Sequence, residues 1–159
     1  MFGFLKKSHV LIAPISGKII NLNEVPDEMF AQKISGDGVA IKPTGDIIVA
    51  PADGMLTLVF RTNHAFGMKL ANGIEILVHI GIDSVRLQGE GFERIATEGS
   101  NVKAGDPIIK INREFLISKN INLITPVLIT NMDKISDLIV DTNILVEYGK
   151  DHILTYKIK

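Results

Sequence analysis

The residue with the most chemistry in reach is His79, set in the run Ile74-Glu-Ile-Leu-Val-His-Ile-Gly-Ile-Asp83 directly after Asn72-Gly73, a favoured tight-hairpin turn. Read as a strand, the two-residue period puts Ile74, Ile76, Val78, Ile80 and Ile82 on one face and Glu75, Leu77, His79, Gly81 and Asp83 on the other. The first face is core. The second sets an imidazole between a leucine and a glycine, half apolar and open to close approach. An imidazole with a pKa of ~6.5 is mostly neutral near neutral pH, so it can serve as a nucleophile there without a strong base beside it. Asp83 lies roughly 13 Å further along if the strand stays extended, too far to orient His79 directly but able to frame the site or meet a cationic partner.

A second histidine lies in Phe60-Arg-Thr-Asn-His-Ala-Phe66. Taken as extended chain, this segment puts Phe60, Thr62, His64 and Phe66 on one face. The Thr62 hydroxyl then sits where it can accept a hydrogen bond from one ring nitrogen, fixing the tautomer and turning the other nitrogen outward. The two segments flank Asn72-Gly73, which predicts neighbouring strands and a histidine pair. His9 and His152 have no comparable setting and read as solvated.

The elements that must carry these groups are short. Ile and Val favour strands, and the chain is cut by turn signals at Ser16-Gly17, Gly36-Asp-Gly38, Thr44-Gly-Asp46, Asp53-Gly54, Asn72-Gly73 and Gly105-Asp-Pro107. Helix signals are brief: Asp27 to Ser35, Arg113 to Lys119, and an Asn131-capped turn running to Leu138. Ala13-Pro-Ile-Ser-Gly17 recurs as Ala50-Pro-Ala-Asp-Gly54, and Val102-Lys-Ala-Gly105 loosely as Val146-Glu-Tyr-Gly149. The expectation is an all-β chain: an antiparallel β-sandwich or barrel-sandwich with a duplicated hybrid motif and short connecting helices. The 159 residues suit one domain, expected over 12–159 after a short N-terminal tail, 1–11.

Several motifs together resemble a known family. The run Gly73-Ile-Glu-Ile-Leu-Val-His79-Ile-Gly-Ile-Asp-Ser-Val-Arg-Leu87 is similar to the phosphohistidine signature of glucose-type enzyme IIA domains of the bacterial phosphoenolpyruvate-dependent sugar phosphotransferase system. Gly36-Asp-Gly-Val-Ala-Ile-Lys-Pro-Thr-Gly45, Thr62-Asn-His-Ala-Phe66 and Gly89-Glu-Gly-Phe92 match as well, and the likeness runs from about Ile12 to the C-terminus. The resemblance implies a phosphotransferase in which the tele nitrogen of His79 accepts phosphate from the small carrier HPr and passes it to a cysteine of the IIB domain of a sugar permease. It further implies that His64 stabilises the phosphoryl group, that Thr62 orients His64, and that a backbone carbonyl near Gly81 orients His79. The family's apolar contact surface maps to Phe30, Ile34, Val39, Phe60, Leu77 and Val85, with Asp27 and Asp83 nearby. No cofactor is required, the location implied is cytoplasmic, and regulatory targets beyond the permease would fit. Ser84 replaces the signature threonine but keeps its hydroxyl, and Glu28 and Ser35 stand at contact positions that are apolar in the best-known relatives. The N-terminal segment is short beside relatives that carry an amphipathic membrane-seeking stretch.

Composition removes other classes. With 17 Lys+Arg against 18 Asp+Glu and no basic stripe interleaved with aromatics, nucleic acid is not an expected partner. The absence of Cys excludes disulfides, thiolate metal sites and a Cys nucleophile, and fits a reducing compartment. No apolar run approaches the ~18 residues of a membrane span, and no Walker-type loop is present for direct use of ATP. Two rivals stand beside the phosphocarrier. A biotinyl- or lipoyl-type carrier is suggested by Met68-Lys69-Leu70, yet its lysine should sit on the hairpin tip, which here is Asn72-Gly73. A zinc peptidase on a related sandwich is suggested by the His79 to Asp83 spacing, but the matching His-x-His is absent. His64 and His79 could still collect an adventitious zinc or one completed by a partner's ligands.

Overall fold

Because the β-branched runs are bounded every few residues by Gly, Asn or Asp, the computed structural model, which describes residues 6–159, is built from short strands. They are β1 (Ser8–Ile12), β2 (Gly17–Ile20), β3 (Asp37–Pro43), β4 (Ile47–Val49), β5 (Gly54–Val59), β6 (Ala65–Lys69), β7 (Glu75–His79), β8 (Phe92–Arg94), β9 (Asn101–Val102), β10 (Pro107–Ile111), β11 (Thr125–Ile129), β12 (Ile135–Val140), β13 (Leu145–Val146) and β14 (His152–Ile158). Two one-turn helices join them, α1 (Glu28–Ala31) and α2 (Arg113–Ser118), capped by the side chains of Asp27 and Asn112. The pairings are antiparallel and form three open sheets, ordered β1-β14-β12, β4-β10-β8 and β13-β2-β3-β11-β7-β6-β5-β9. None closes into a barrel.

The duplication expected from the sequence is present as paired backbone hydrogen bonds. Ile12 N donates to Pro51 O at 2.9 Å and Val49 N to Pro14 O at 2.7 Å; Gly149 N donates to Ala13 O and Gly105 N to Ala50 O, both at 2.9 Å. Each copy of the repeat opens a strand whose first glycine pairs with the valine of the second echo, Gly17 with Val146 and Gly54 with Val102. The two halves therefore meet back to back around a local two-fold axis.

The large sheet is covered on both faces where β2, β3 and β11 lie. Phe66, Val78, Val127 and Val39 stand in register across β6, β7, β11 and β3 and point into the main core. On the opposite face Ile20, Ala40 and Leu128, joined by Leu77, are covered by Leu22, Val25 and Phe30 from the chain between β2 and β3. That second, smaller core is why β11 is buried at every position, and it brings α1 to the end of β7.

Three expectations need correction. The Asn131 segment is a single 3-10 turn, Met132–Lys134, followed by strand β12, because Ile135 and Leu138 find cross-strand partners in β14 at Ile158 and Tyr156. Residues 8–11, expected within the tail assigned to 1–11, form part of β1 and pair with β14, while residues 1–5 of that expectation lie outside the described residues. His9 is not simply solvated but stacks on Tyr156, ring centroids 5.2 Å apart.

Gly38 tests the two-sided packing of this sheet. A Cβ there would lie 2.1 Å from the Val127 carbonyl oxygen, so β3 and β11 pair closely only with a glycine at this position. Gly38→Ala is expected to cost about 3 kcal/mol by forcing the strands apart, read as a fall of roughly 10 °C in Tm by thermal denaturation.

Candidate functional site

The site begins where β7 ends. Leu77 and His79 follow the two-residue period onto the outer face, but after His79 the chain turns: Gly81 has φ +81° and Asp83 has φ +54°, both left-handed. A Cβ on Gly81 would stand 3.1 Å from the Asn122 carbonyl and 3.2 Å from Ile121, so glycine satisfies both the backbone angle and the space. The turn is pinned on three sides. Ile80 N donates to His64 O at 2.7 Å, Ile82 N donates to Asn122 O at 2.8 Å, and the buried Ser84 hydroxyl donates to Ile80 O at 2.6 Å.

This turn sends the Gly81 carbonyl back to His79, 2.8 Å from Nδ1. A carbonyl can only accept, so Nδ1 must carry the proton and Nε2 is left as an unprotonated lone pair. The same turn overturns the extended-strand spacing for Asp83, which comes close enough, with Asp27 at the N-cap of α1, for its charge to act on His79.

His64 sits on a hairpin loop between β5 and β6, and not on the strand expected over 60–66; Phe66, expected on its face, is fully buried in the main core. The loop closes through Phe60 N to Ala65 O at 2.9 Å and Asn63 N to Phe60 O at 2.7 Å, with Asn63 left-handed at φ +59°. Ala65 is directly opposite His79 in the β6–β7 ladder, which brings the two imidazoles together with centroids 5.0 Å apart and planes at 80°. Phe30 lies 5.0 Å from His79 and Phe60 5.2 Å from His64, so the four rings form a row.

Aromatic walls decide the charge state. His64 is only 4 % exposed, and desolvation, with a smaller contribution from the neighbouring His79, lowers its pKa to about 4. Desolvation also lowers the pKa of His79, opposed in turn by the Gly81 hydrogen bond, Asp27 and Asp83. Both rings are neutral near pH 7. Thr62 Oγ1 lies 2.5 Å from His64 Nδ1. The sequence suggested Thr62 as the acceptor in this bond, but a neutral ring has one proton. If His64 is to donate through Nε2, the hydroxyl must donate to Nδ1.

Around the depression, Ile34 is 61 % and Val85 52 % exposed, while Phe60 and Leu77 are half-buried and Phe30 is largely buried between His79 and the small core. Val39 is the exception among the anticipated contacts. It is in register with Val127 on the inner face, fully buried, and its side chain cannot reach a partner. Met29, not anticipated, is 49 % exposed beside Phe30; its sequence signal was an apolar residue at a position that a four-residue helix cannot bury.

The histidine pair supplies two ring nitrogens not engaged by Thr62 or Gly81, and among the described residues no group of three or more His, Cys, Asp or Glu is arranged to hold a metal ion. Two ligands are half of a tetrahedral zinc set, so these two histidines do not complete a zinc site by themselves.

A lone pair fixed on one imidazole, beside a second neutral imidazole in an apolar-rimmed depression, suits a protein that carries a phosphoryl group on histidine. The family model described as phosphoenolpyruvate-dependent sugar phosphotransferase system, EIIA 1, matches residues 9–135, and the chain belongs to this family. It is a phosphocarrier of the sugar phosphotransferase system, a transferase in the relay. The glucose-specific EIIA component of Haemophilus influenzae is 48% identical over 147 residues, covering 92% of this chain and 88% of that protein. The N-acetylglucosamine-specific EIICBA component of Klebsiella pneumoniae is 48% identical over 130 residues, 82% of this chain but 20% of the longer protein. The glucose permease IIA structure from Mycoplasma capricolum superposes with a TM-score of 0.88 at 38% identity, covering 98% of this chain and 99% of that one. Among the described residues no helix is long and apolar enough to cross a membrane.

The depressed pKa of His64 has a stability consequence. Above pH 6.5 its ring is neutral in both folded and unfolded chains; between pH 6.5 and about 4 only the unfolded chain binds the proton, so stability falls as pH falls through that window. Thermal melts from pH 7 to 4 should show a shallower decline for His64→Gln than for the parent. Equal slopes would mean that His64 titrates normally in the folded protein.

Proposed function

We propose that Nε2 of His79 accepts the phosphoryl group from the phosphohistidine of HPr and passes it to the cysteine of a IIB domain of a glucose-type sugar permease. The observation that carries this reading is the Gly81 carbonyl on His79 Nδ1, which leaves Nε2 as the nucleophile. In the accepting step the Nε2 lone pair forms a bond to phosphorus as the donor's N–P bond breaks and its electrons return to the donor imidazole. In the donating step a cysteine thiolate attacks the same phosphorus and the His79 N–P bond breaks. Negative charge concentrates on the phosphoryl oxygens in both. The Nε2–H of His64, held by Thr62 at the other nitrogen, is the donor placed 5.0 Å away, centroid to centroid, to stabilise them.

Glucose-type specificity rests on the names of the relatives, and the fused EIICBA relative supports a permease as the acceptor. Ile34, Val85, Met29 and the half-buried Leu77 and Phe60 supply an apolar patch around the histidines, and Asp27 and Asp83 supply its charge. A patch of this kind docks partners briefly, since apolar contact with a polar rim forms and dissolves without desolvating a buried ion pair. A cytoplasmic location follows from the relay itself. Zinc completed by a partner's ligands would take Nε2 of His79 and, after a change of tautomer, Nε2 of His64, but no step depends on it.

Incubation with enzyme I, HPr and phosphoenolpyruvate is expected to place an acid-labile, alkali-stable phosphate on His79; a phosphate on Ser84 or Thr62 would reject the reading. His79→Gln should accept none, since an amide nitrogen is not nucleophilic. His64→Gln should still accept phosphate but pass it on ~10²–10³ more slowly, the usual cost of one lost donor at such a centre. Rapid-quench measurement of the two half-reactions separates these outcomes, and equal loss in both would remove the donor role from His64. Val85→Lys should weaken docking to HPr with little change in Tm, because the side chain is already more than half exposed.

A further inference from the structure

The loop that carries Thr62 and His64 is held from outside by a residue whose hydrogen bonds go to the loop and not to the rings. Arg94, the last residue of β8, directs its guanidinium at this loop: Nε donates to Asn63 Oδ1 at 2.8 Å, and Nη2 donates to Phe60 O at 3.0 Å and, more weakly, to Val59 O at 3.4 Å. Among the described residues no carboxylate pairs with Arg94; the ion pairs there are Lys33 with Asp37 and Lys150 with Glu147. The hydrogen bonds of its guanidinium go to the end of β5 and the loop that follows it. The contacts lie at both ends of the segment that contains Thr62, its entry at Val59 and Phe60 and its left-handed corner at Asn63. Arg94 also pairs through its backbone with Ile109 in the sheet β4-β10-β8, so it fastens the His64 loop to a different sheet from the one that carries His79.

We propose that Arg94 is a positioning residue for phosphoryl transfer, fixing the Val59–Asn63 loop so that Thr62 stays on His64 Nδ1 and the Nε2–H of His64 stays aimed at the phosphoryl group of His79. The proposal rests on the donor role assigned to His64. Its physical basis is the planar, always charged guanidinium fork, which can bridge a side-chain amide and main-chain carbonyls at the same time; a lysine ammonium is a point charge on a flexible stem and cannot reproduce that geometry. Phe60 O accepts from both Asn63 N and Arg94, using the two lone pairs of one carbonyl to close the turn from inside and outside. Transfer is sensitive to such placement, because a misplacement of ~1 Å at a reacting centre can cost on the order of 10² in rate.

The test uses the full chain with enzyme I, HPr and a IIB domain, comparing the parent with Arg94→Met, Arg94→Lys and Asn63→Gly. The glycine keeps the left-handed corner while deleting the acceptor. Two readouts are taken: single-turnover rates of acceptance and onward transfer, and the imidazole nitrogen NMR signals of His64. Arg94→Met is expected to slow onward transfer roughly ten-fold, with a smaller effect on acceptance. It should also convert the single His64 tautomer into a mixture whose protonation begins above the parent's value of about 4. Arg94→Lys should behave like Arg94→Met, and the double variant with Asn63→Gly should be no worse than Arg94→Met alone.

Parent-like transfer and unchanged His64 signals in Arg94→Met, with only a lower Tm, would overturn the proposal, as would full rescue by lysine. If Arg94→Met does not fold, Asn63→Gly carries the same two readouts, and unchanged values there overturn it equally. If His64→Gln transfers onward at the parent rate, the donor role itself has failed, a result that does not depend on Arg94.

Discussion

The hydrogen bond between His79 Nδ1 and the Gly81 carbonyl is the contact around which the site is built. It fixes the proton on Nδ1 and leaves Nε2 with the lone pair, and it exists only because the chain reverses within two residues of the strand end. That reversal needs Gly81 in a left-handed conformation, a second left-handed residue at Asp83, and anchors at Ser84, Asn122 and the His64 carbonyl. The last anchor matters most for the pair. One backbone bond, Ile80 N to His64 O, ties the loop of one histidine to the strand end of the other.

Around this contact the protein controls charge by controlling water. Phe30 and Phe60 close the ends of the four-ring row, and the resulting desolvation holds both imidazoles neutral. A cationic His79 would have no lone pair to offer. A cationic His64 would bind phosphate more tightly and release it less readily, so neutrality on both sides suits a carrier that must load and unload. Asp27 and Asp83 work against the desolvation at His79, which keeps its depression smaller than burial alone would make it.

Phe30 can stand beside His79 only because the large sheet is packed on both faces. The chain between β2 and β3 leaves the sheet, forms the cover over Ile20, Ala40 and Leu128, and returns with α1 at the rim of the depression. The duplicated architecture beneath is held together differently: its two halves exchange backbone hydrogen bonds in matched pairs around the Ala13 and Ala50 repeats. The relay is thus presented on the outer face of the large sheet, beside the smaller core that covers part of that face.

Much of this was legible in the residues. The two-residue period of 74–82 assigned the core face of β7 correctly, Asn72-Gly73 marked the hairpin, the echoes marked the duplication, and a four-motif resemblance marked the family. These features are local, or repeat at fixed intervals, so a linear reading reaches them. Three others misled it. Val39 was placed at the surface by the resemblance, which carries over positions but not which face of β3 is covered. Asp83 was placed far from His79 because an extended chain was assumed through a glycine that turns it. Phe66 was placed beside His64 because a strand period was carried across what is a loop. The sequence by itself determined the β character of the chain, the two faces of β7 and the identity of the two imidazoles. Only the tertiary structure decided their 5.0 Å approach, their neutral charge and the tautomer of His79. Those depend on contacts between elements far apart in the chain and on the exclusion of water, which no local pattern encodes.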